Sequence, residues 1–490
     1  MEQVRNRIRV QRPKNYKKRL VSLRCFFLVE LCYLTLRRCD VCMNCKKSSS
    51  TIRMHGQVLN NHDQSVPTSL RIMWKWWQFC CILLCLCAMT SCQRSVLDMP
   101  ILVQFVRIFR NWGLGAFGRT GADEKYLQLA RDAGKLQEVI PDHVPFPCNV
   151  TVGRSSEVPD SVHKLRPGDI DVIGAIGDSI TAGAGIFATS VFHILVDNRG
   201  VTAAAGGQGT WRQYLTIPNI LKEYNPNLIG YALGDSIVPN EASQLIVAES
   251  GAFSEDMPYM AEVLVTRIKR HPKIDLQKQW KFISIMIGSN DFCSDICWVP
   301  SPWSVVDKHK AKMLQVLRTL RDNLPRTFVA LIPPPHLGVL ADGSQGRLPL
   351  TCYFTQNTEC GCMIGLAHKR FRPMYDNIIR RWQEIDMEIA TYPEFQRDDF
   401  VVVGQPVIMD LTVPRASNGY ADLTYLSVDC FHISQKANAW YALGLWENLF
   451  QPVGAKMTKL SDDPPSEKFY CPTEERPYLA TMLNSRKQND

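Results

Sequence analysis

Apolar runs alternate with amphipathic stretches along most of this chain. The apolar runs predict strands at 171–176, 201–205, 228–233, 281–287, 327–332 and 400–403. Between them, apolar positions recur at helical spacing, notably over 257–270, 307–323 and 368–390. Buried strands that alternate with helices are typical of a parallel sheet covered on both faces. The pattern therefore predicts an α/β fold of three layers, α/β/α, with a mostly parallel central sheet.

The N-terminal segment does not follow this pattern. Residues 73–92 begin with a short charged stretch, continue with an apolar core and end in small residues, which is typical of a secretory signal peptide. The apolar core is short for a membrane span, which needs about 20 residues. Translation from Met73 would make residues 1–72 a basic extension that arises from the gene model. The alternative is a type II membrane anchor formed by residues 74–91.

Between this segment and the alternating pattern lies a leader of uncertain structure, residues 93–124. Its stretch from Ile101 to Trp112 places arginines among large apolar residues. One interpretation is an amphipathic helix that touches lipid. The other is a helix packed on the domain, or a disordered leader. Residues 126–140 have helical character up to Pro141, and the main domain is expected over residues 125–485.

The positive charge belongs almost entirely to the N-terminal segment. The chain has a formal net charge of +9, but residues 1–92 hold 16 Lys and Arg against 4 Asp and Glu. The remaining residues hold 40 basic against 43 acidic side chains. The main domain therefore lacks the basic surplus that nucleic-acid binding favours, and no nucleic-acid partner is expected.

Cysteine usage supports export. Ten of the 18 cysteines precede residue 93, and the others are Cys148, Cys293, Cys297, Cys352, Cys360, Cys362, Cys430 and Cys471. Eight cysteines behind a signal peptide predict four disulfides, although spacing does not give their pairing. A zinc site is disfavoured because no pair among these eight cysteines has the usual two-residue spacing. Asn149 begins an Asn-Val-Thr triplet, and we expect it to be glycosylated.

Ser179 is the strongest candidate for a nucleophile. It follows the apolar run 171–176 in the sequence Gly177-Asp178-Ser179, and small residues come after it. Glycine at this point permits a tight turn and close approach of a substrate. A second Gly-Asp-Ser ends at Ser236, also after an apolar run. Such triplets are most often plain turns, and this is our interpretation of the second copy.

Three further blocks distinguish the first copy from the second. Gly206-Gly207 lies downstream, and Gly288-Ser289-Asn290-Asp291 follows the apolar run 281–287. Asp429 and His432 lie three residues apart near the C-terminal end. Serine, histidine and an acid are the components of an acyl-transfer triad. Residues that follow parallel strands lie at one edge of the sheet, where active sites form.

These blocks, in this order, resemble the GDSL/SGNH hydrolase family. The stretch 216–226 and the stretches around His432 and Trp446 are similar to its phospholipase B-like branch. The resemblance covers roughly residues 125–485. It implies a three-layer α/β/α fold and an esterase that needs neither metal nor cofactor.

The resemblance also implies a role for each site residue. Ser179 would attack the ester carbonyl, His432 would take and return its proton, and Asp429 would orient the imidazole. The oxyanion donors would be the backbone N–H of Ser179, a backbone N–H at the glycine block and the Asn290 side chain. Gly206 is chosen over its neighbour Gly207.

The triad does not define the substrate. The phospholipase B-like strings imply phospholipids or lysophospholipids, with contact to a lipid interface. A carbohydrate or small-ester deacetylase and a catalytically silent secreted binding protein are the alternatives, and the oligomeric state is open. If the acyl group is long, Ala203-Ala204-Ala205 with Ile186 and Phe187 are expected to line a groove for it.

We predict that the signal peptide is cleaved near Ser91 or Cys92, because small residues follow its apolar core there. N-terminal sequencing of the protein secreted by expressing cells measures this. A mature protein that retains residues 1–72 and sediments with membranes would contradict the prediction and favour the type II anchor.

Overall fold

A computed structural model describes residues 100–341, 348–460 and 469–486. The predicted extension 1–72 and signal peptide 73–92 lie outside them. Strands are β1 (Ile170–Gly177), β2 (Trp280–Met286), β3 (Thr327–Leu331) and β4 (Phe400–Gly404). Helices are α1 (Pro100–Phe117), α2 (Glu124–Asp132), α3 (Ser179–Ala182), α4 (Ile217–Tyr224), α5 (Met257–Arg270), α6 (Ser304–Asn323), α7 (Gly338–Ala341), α8 (Leu350–Glu359), α9 (Arg372–Ile389), α10 (Gln435–Phe450) and α11 (Met482–Arg486).

The central sheet is parallel and follows the order of the chain, β1-β2-β3-β4. In register, Ile173 of β1 lies beside Phe282 of β2, and Phe282 lies beside Phe328 of β3. All four strands are almost fully buried, which explains why they appear in the sequence as continuous apolar runs.

Helices cover both faces of the sheet. Alternate strand residues such as Ile283 and Val329 pack with helices α5, α6 and α9 in one core. Their neighbours, such as Phe282 and Phe328, pack with α4 and α10 in a second core. Because successive strand side chains point to opposite faces, one sheet supplies both cores. The predicted three-layer α/β/α fold is confirmed.

Two of the predicted strands are absent from the described structure. Residues 201–205 form turns, and 228–233 makes only single bridges, with Ile229 beside Val172 and Ala232 beside Gly206. Gly230 has a φ of +100°, which an extended strand does not use. The apolar run therefore continues the sheet past β1 without forming a regular strand.

The predicted helices are found at the expected positions in the chain, but several differ from the prediction in length. Helix α5 has the predicted bounds, whereas α6 begins earlier than predicted and α9 is shorter. Helix α2 ends at Asp132 instead of continuing to residue 140. Beyond it the backbone turns to tertiary partners, because Gln137 N–H donates to Gln435 and Ile140 N–H donates to Arg212.

Helix α1, in the expected leader, places charged residues against the domain. Arg107 pairs with Glu249 at 2.6 Å, and Arg110 pairs with Asp197 at 3.0 Å. Phe105 and Ile108 are 70% and 66% exposed on the same helix. The helix thus combines features of both interpretations: it is tied to the domain and it presents apolar side chains outward.

Eight cysteines of the described residues form four disulfides, as predicted. The pairs are Cys148–Cys471, Cys293–Cys360, Cys297–Cys362 and Cys352–Cys430. The side chain of Asn149 is exposed, and its glycosylation stays a prediction. Of the helices in the described ranges, none has the length and apolar character of a membrane span.

The residues expected to line an acyl groove do not all lie together. Ala203 and Ala204 belong to the second core, whereas Ile186 and Phe187 pack with Ala130 in a separate cluster. All of them are at least 92% buried. Ala203 and Ala204 nevertheless border a small cavity together with Ile180, the neighbour of Ser179, so a groove at these two alanines stays a prediction. The assignment of Ile186 and Phe187 to that groove is wrong, because both pack in the separate cluster.

We therefore expect Ala204→Trp to destabilise the fold by about 1–3 kcal/mol through overpacking. Chemical denaturation measures the loss, and Val158→Trp is the control because Val158 is 62% exposed. Unchanged stability together with a selective loss of activity on long-chain esters would instead support an acyl groove at these alanines.

Candidate active site

Ser179 is presented at the end of a strand by a tight turn. Strand β1 ends at Gly177, the side chain of Asp178 accepts a hydrogen bond from Ile180 N–H, and Ser179 begins α3. Gly177 has a φ of +158°, and a Cβ there would lie 2.3 Å from the carbonyl oxygen of Met286. Only glycine fits this turn, which delivers Ser179 to the carboxyl edge of the sheet.

The loop from Asp429 to His432 is folded back on itself. The Oδ1 atom of Asp429 accepts hydrogen bonds from the backbone N–H groups of Phe431 and His432, both at 3.0 Å. Cys430 lies between them with a φ of +56°, a conformation that non-glycine residues rarely adopt. The turn brings the carboxylate and the imidazole to the same side of the loop.

The structure brings Ser179, His432 and Asp429 together in a continuous chain of hydrogen bonds. Ser179 Oγ lies 2.8 Å from His432 Nε2, and His432 Nδ1 lies 2.6 Å from Asp429 Oδ2. All three side chains are at least 91% buried. If Nδ1 carries the proton and donates to Asp429, Nε2 is left to accept the serine proton.

The electrostatics favour a charged imidazole. Burial opposes the positive charge, but Asp429, then Glu359 and Asp178, raise the pKa of His432 above its usual range. Burial would raise the pKa of Asp429, yet His432 and the two backbone donors hold it below the ordinary value. The site is therefore arranged to stabilise the imidazolium that forms when histidine accepts a proton.

Glu359 is a second acid beside the imidazole, and the sequence reasoning missed it. Its Oε2 lies 3.8 Å from His432 Nδ1 and has no hydrogen-bond partner among the described residues. Burial raises the pKa of Glu359 to about 7. The residue comes from α8, directly before Cys360, and no motif of the sequence singles it out.

Two of the expected oxyanion donors have an N–H without an acceptor among the described residues. The backbone N–H of Ser179 opens α3 and has no acceptor among the described residues, as is usual for the first turn of a helix. Asn290 Nδ2 donates to the carbonyl of Ala252 at 2.8 Å, which leaves its second N–H for another acceptor.

The backbone N–H groups of the glycine block are less available to an oxyanion. Gly206 N–H donates to the carbonyl of Thr202 at 3.0 Å, and Gly207 N–H donates to that of Ala232 at 2.9 Å. Neither amide is directed at an open site in this structure. The choice of Gly206 stays a prediction, and its N–H would have to leave Thr202 to serve an oxyanion.

The second Gly-Asp-Ser, which ends at Ser236, lies in a turn that hydrogen bonds hold in place. Ser236 Oγ donates to the carbonyl of Gly234, and the buried Asp235 accepts hydrogen bonds from Gly121 N–H and Asn198. No histidine of the described ranges is bonded to Ser236. These contacts tie the loop to its neighbours, as a turn requires.

A second, fully buried serine–histidine–aspartate array supports the Asn290 loop. Ser254 Oγ lies 2.7 Å from His309 Nδ1, and His309 Nε2 lies 2.8 Å from Asp386. Ser254 N–H donates to Asp291, the neighbour of Asn290. Because these side chains are at least 98% buried, the array holds the core together and is closed to substrates. No sequence signal marks it.

One group of the described residues has the composition of a metal site. Ligand atoms of Glu359, Asp429 and His432 lie within 4.8 Å of one another. However, both ring nitrogens of His432 already bond to Ser179 and Asp429. A metal would have to displace one of these bonds, so the donor set fits an acid–histidine pair better than a cation.

Comparison with known proteins points to one family. The GDSL-like lipase/acylhydrolase profile matches residues 173–445. The chain is 35% identical over 334 residues to membrane-associated phospholipase B1 of Rattus norvegicus, and 35% identical over 333 residues to that of Homo sapiens. These matches cover 68% of this chain and only 22% of either relative.

Solved structures show weaker likeness. Phospholipase A1 from Streptomyces albidoflavus NA297 is 16% identical, with a TM-score of 0.23 over 45% of this chain and 75% of its own. An extracellular lipase from Streptomyces rimosus is 14% identical, with a TM-score of 0.26 over 55% and 94%. The profile match, which spans more than half of the sequence, shows that the chain belongs to the GDSL-like lipase/acylhydrolase family.

Proposed function

We propose that this protein is a serine esterase that hydrolyses fatty-acyl esters of phospholipids and lysophospholipids. The observation that carries the proposal is the hydrogen-bonded chain from Ser179 through His432 to Asp429. Similarity to proteins named phospholipase B1 supports lipid as the substrate class. Four disulfides support export, since such bonds persist in oxidising compartments.

The reaction has two halves. Ser179 Oγ attacks the ester carbonyl while His432 Nε2 takes the hydroxyl proton. The tetrahedral intermediate collapses, the ester C–O bond breaks, and His432 returns the proton to the departing lipid alcohol. Water then attacks the acyl-serine, again with His432 as base, and the fatty acid leaves as Ser179 recovers its proton.

Asp429 and the oxyanion donors lower the barrier without changing covalently. Asp429 holds the imidazole by its Nδ1–H and stabilises the imidazolium. The Ser179 N–H and the free N–H of Asn290 would stabilise the oxyanion. Loss of one such donor costs about 2.7–4 kcal/mol of transition-state stabilisation in other serine hydrolases.

The predicted alternatives remain testable against this proposal. A carbohydrate or small-ester deacetylase would use the same triad on a short acyl group. A silent binding protein would have no turnover, although the intact triad geometry speaks against it. Mass spectrometry of products from a panel of phospholipids, lysophospholipids and acetylated sugars separates all three.

We predict that Ser179→Ala abolishes fatty-acid release, whereas Ser236→Ala leaves it nearly intact, because the Ser236 hydroxyl donates only to the carbonyl of Gly234 in its own turn. Product release from lysophospholipid measures both variants. If Ser236→Ala alone stops turnover in a protein that melts like wild type, the nucleophile is misassigned. If the wild type releases no fatty acid from any of the lipids, the lipid substrate is wrong.

We also predict that Glu359→Gln shifts the acidic limb of kcat/KM to lower pH, by about half a unit to one unit. The base must be neutral, so activity rises with pH through the pKa of His432. Removal of a negative charge beside the ring lowers that pKa. Glu262→Gln, an exposed change of equal charge on α5, is the control. An unmoved limb, or one moved to higher pH, would contradict this role of Glu359.

A further inference from the structure

Helix α8 has the opposite polarity to an ordinary surface helix. Its buried face carries Thr355 and Gln356, whose side chains donate to the backbone carbonyls of Asp429 and Cys430. Its outer face carries Leu350, Tyr353 and Phe354, which are 87%, 50% and 73% exposed. Surface helices normally turn their apolar stripe toward the core. Here the polar stripe holds the catalytic loop and the apolar stripe faces outward.

Two further large apolar side chains are exposed on segments that disulfides join to this helix. Leu366 is 67% exposed and Trp298 is 76% exposed. The Trp298 ring lies 6.0 Å from that of His368, and the disulfide Cys297–Cys362 joins the two segments. We call the set Leu350, Tyr353, Phe354, Leu366 and Trp298 the apolar rim. Large exposed apolar patches on soluble proteins usually mark interaction sites.

The charges that follow helix α8 along the chain indicate the partner of the rim. Residues 350–358 contain no charged side chain, and Glu359 points to His432. The next charges along the chain are the exposed Lys369 and Arg370, close to Leu366. Aromatic and aliphatic side chains bordered by cations are characteristic of surfaces that lie in the headgroup region of a phospholipid layer.

The rim is also rigidly joined to the catalytic residues. Disulfide Cys352–Cys430 ties the outward-facing helix to the residue between Asp429 and Phe431. Disulfide Cys293–Cys360 ties the end of the same helix to the segment that follows Asn290. A surface held in this way would bring the active site close to whatever the rim contacts.

We propose that the apolar rim docks on the surface of an anionic phospholipid layer and so places the active site at the interface. The inference rests on the proposed lipid-ester hydrolysis and names the surface that meets the substrate aggregate. Leu350, Tyr353, Phe354, Leu366 and Trp298 enter the headgroup region, while Lys369 and Arg370 contact lipid phosphates.

The test separates docking from turnover. Vesicles of diether phosphatidylcholine, with or without diether phosphatidylglycerol, contain no fatty-acyl ester and offer the esterase nothing to hydrolyse. Binding of the Ser179→Ala protein to them, measured by flotation, therefore reports docking alone. We expect binding, and stronger binding when phosphatidylglycerol is present.

Two sets of variants in the Ser179→Ala background assign the surface. Leu350→Ser with Phe354→Ser should weaken vesicle binding at least tenfold. Lys369→Glu with Arg370→Glu should remove the preference for phosphatidylglycerol. The matched control is Val158→Ser with Leu483→Ser, since both residues are exposed. Val158 and Leu483 lie beside residues 162–164, which come just before β1. Both control positions are therefore at the amino end of the sheet, opposite the edge that carries Ser179.

Each outcome decides the proposal. Tenfold weaker binding by the rim variant, with the control within twofold and equal melting temperatures, supports it. No vesicle binding by the parent protein, or equal binding by rim and control variants, overturns it. A wild-type dimer that the rim variant converts to monomer also overturns it, because the rim would then join two copies. Failure of the proposed function would appear separately, as absent fatty-acid release by wild type.

Discussion

The site depends on the tight turn that carries Asp429 and His432 toward Ser179. Ser179 and His432 are 253 residues apart in sequence, and they meet where the turn at Cys430 adopts a left-handed conformation. Two backbone N–H groups bond to Asp429, and the disulfide to Cys352 anchors the turn from outside. A strained turn persists only when its surroundings determine it in several ways, as they do here.

The same constraint explains the polarity of helix α8. Its inner face must satisfy the carbonyl groups of Asp429 and Cys430, so Thr355 and Gln356 are buried there. Buried carbonyls without donors are costly, which makes polar residues the stable choice for this face. Apart from Cys352, which is buried and bonded to Cys430, the apolar side chains of the helix therefore occupy the outer side. One arrangement thus links catalytic geometry with the surface proposed to meet lipid.

Much of the fold and the triad was predictable from local sequence. The apolar runs of β1 to β4 are buried on both faces, and such runs are recognisable without any partner. Ser179 and His432 were predictable from their motifs. The expected strand at 228–233 failed at Gly230, where a single backbone conformation overrides an apolar pattern. Glu359 and the Ser254–His309–Asp386 array depend on contacts between distant segments, which spacing along the chain does not encode.

The central claim is that Ser179, activated by His432, forms the acyl-enzyme. Reaction of the native protein with a fluorophosphonate, followed by peptide mapping with mass spectrometry, tests it most directly. The account predicts a phosphonyl adduct on the peptide containing Ser179, lost when His432 is replaced by alanine. An adduct on the peptide containing Ser236, or no adduct in a folded protein, would contradict it.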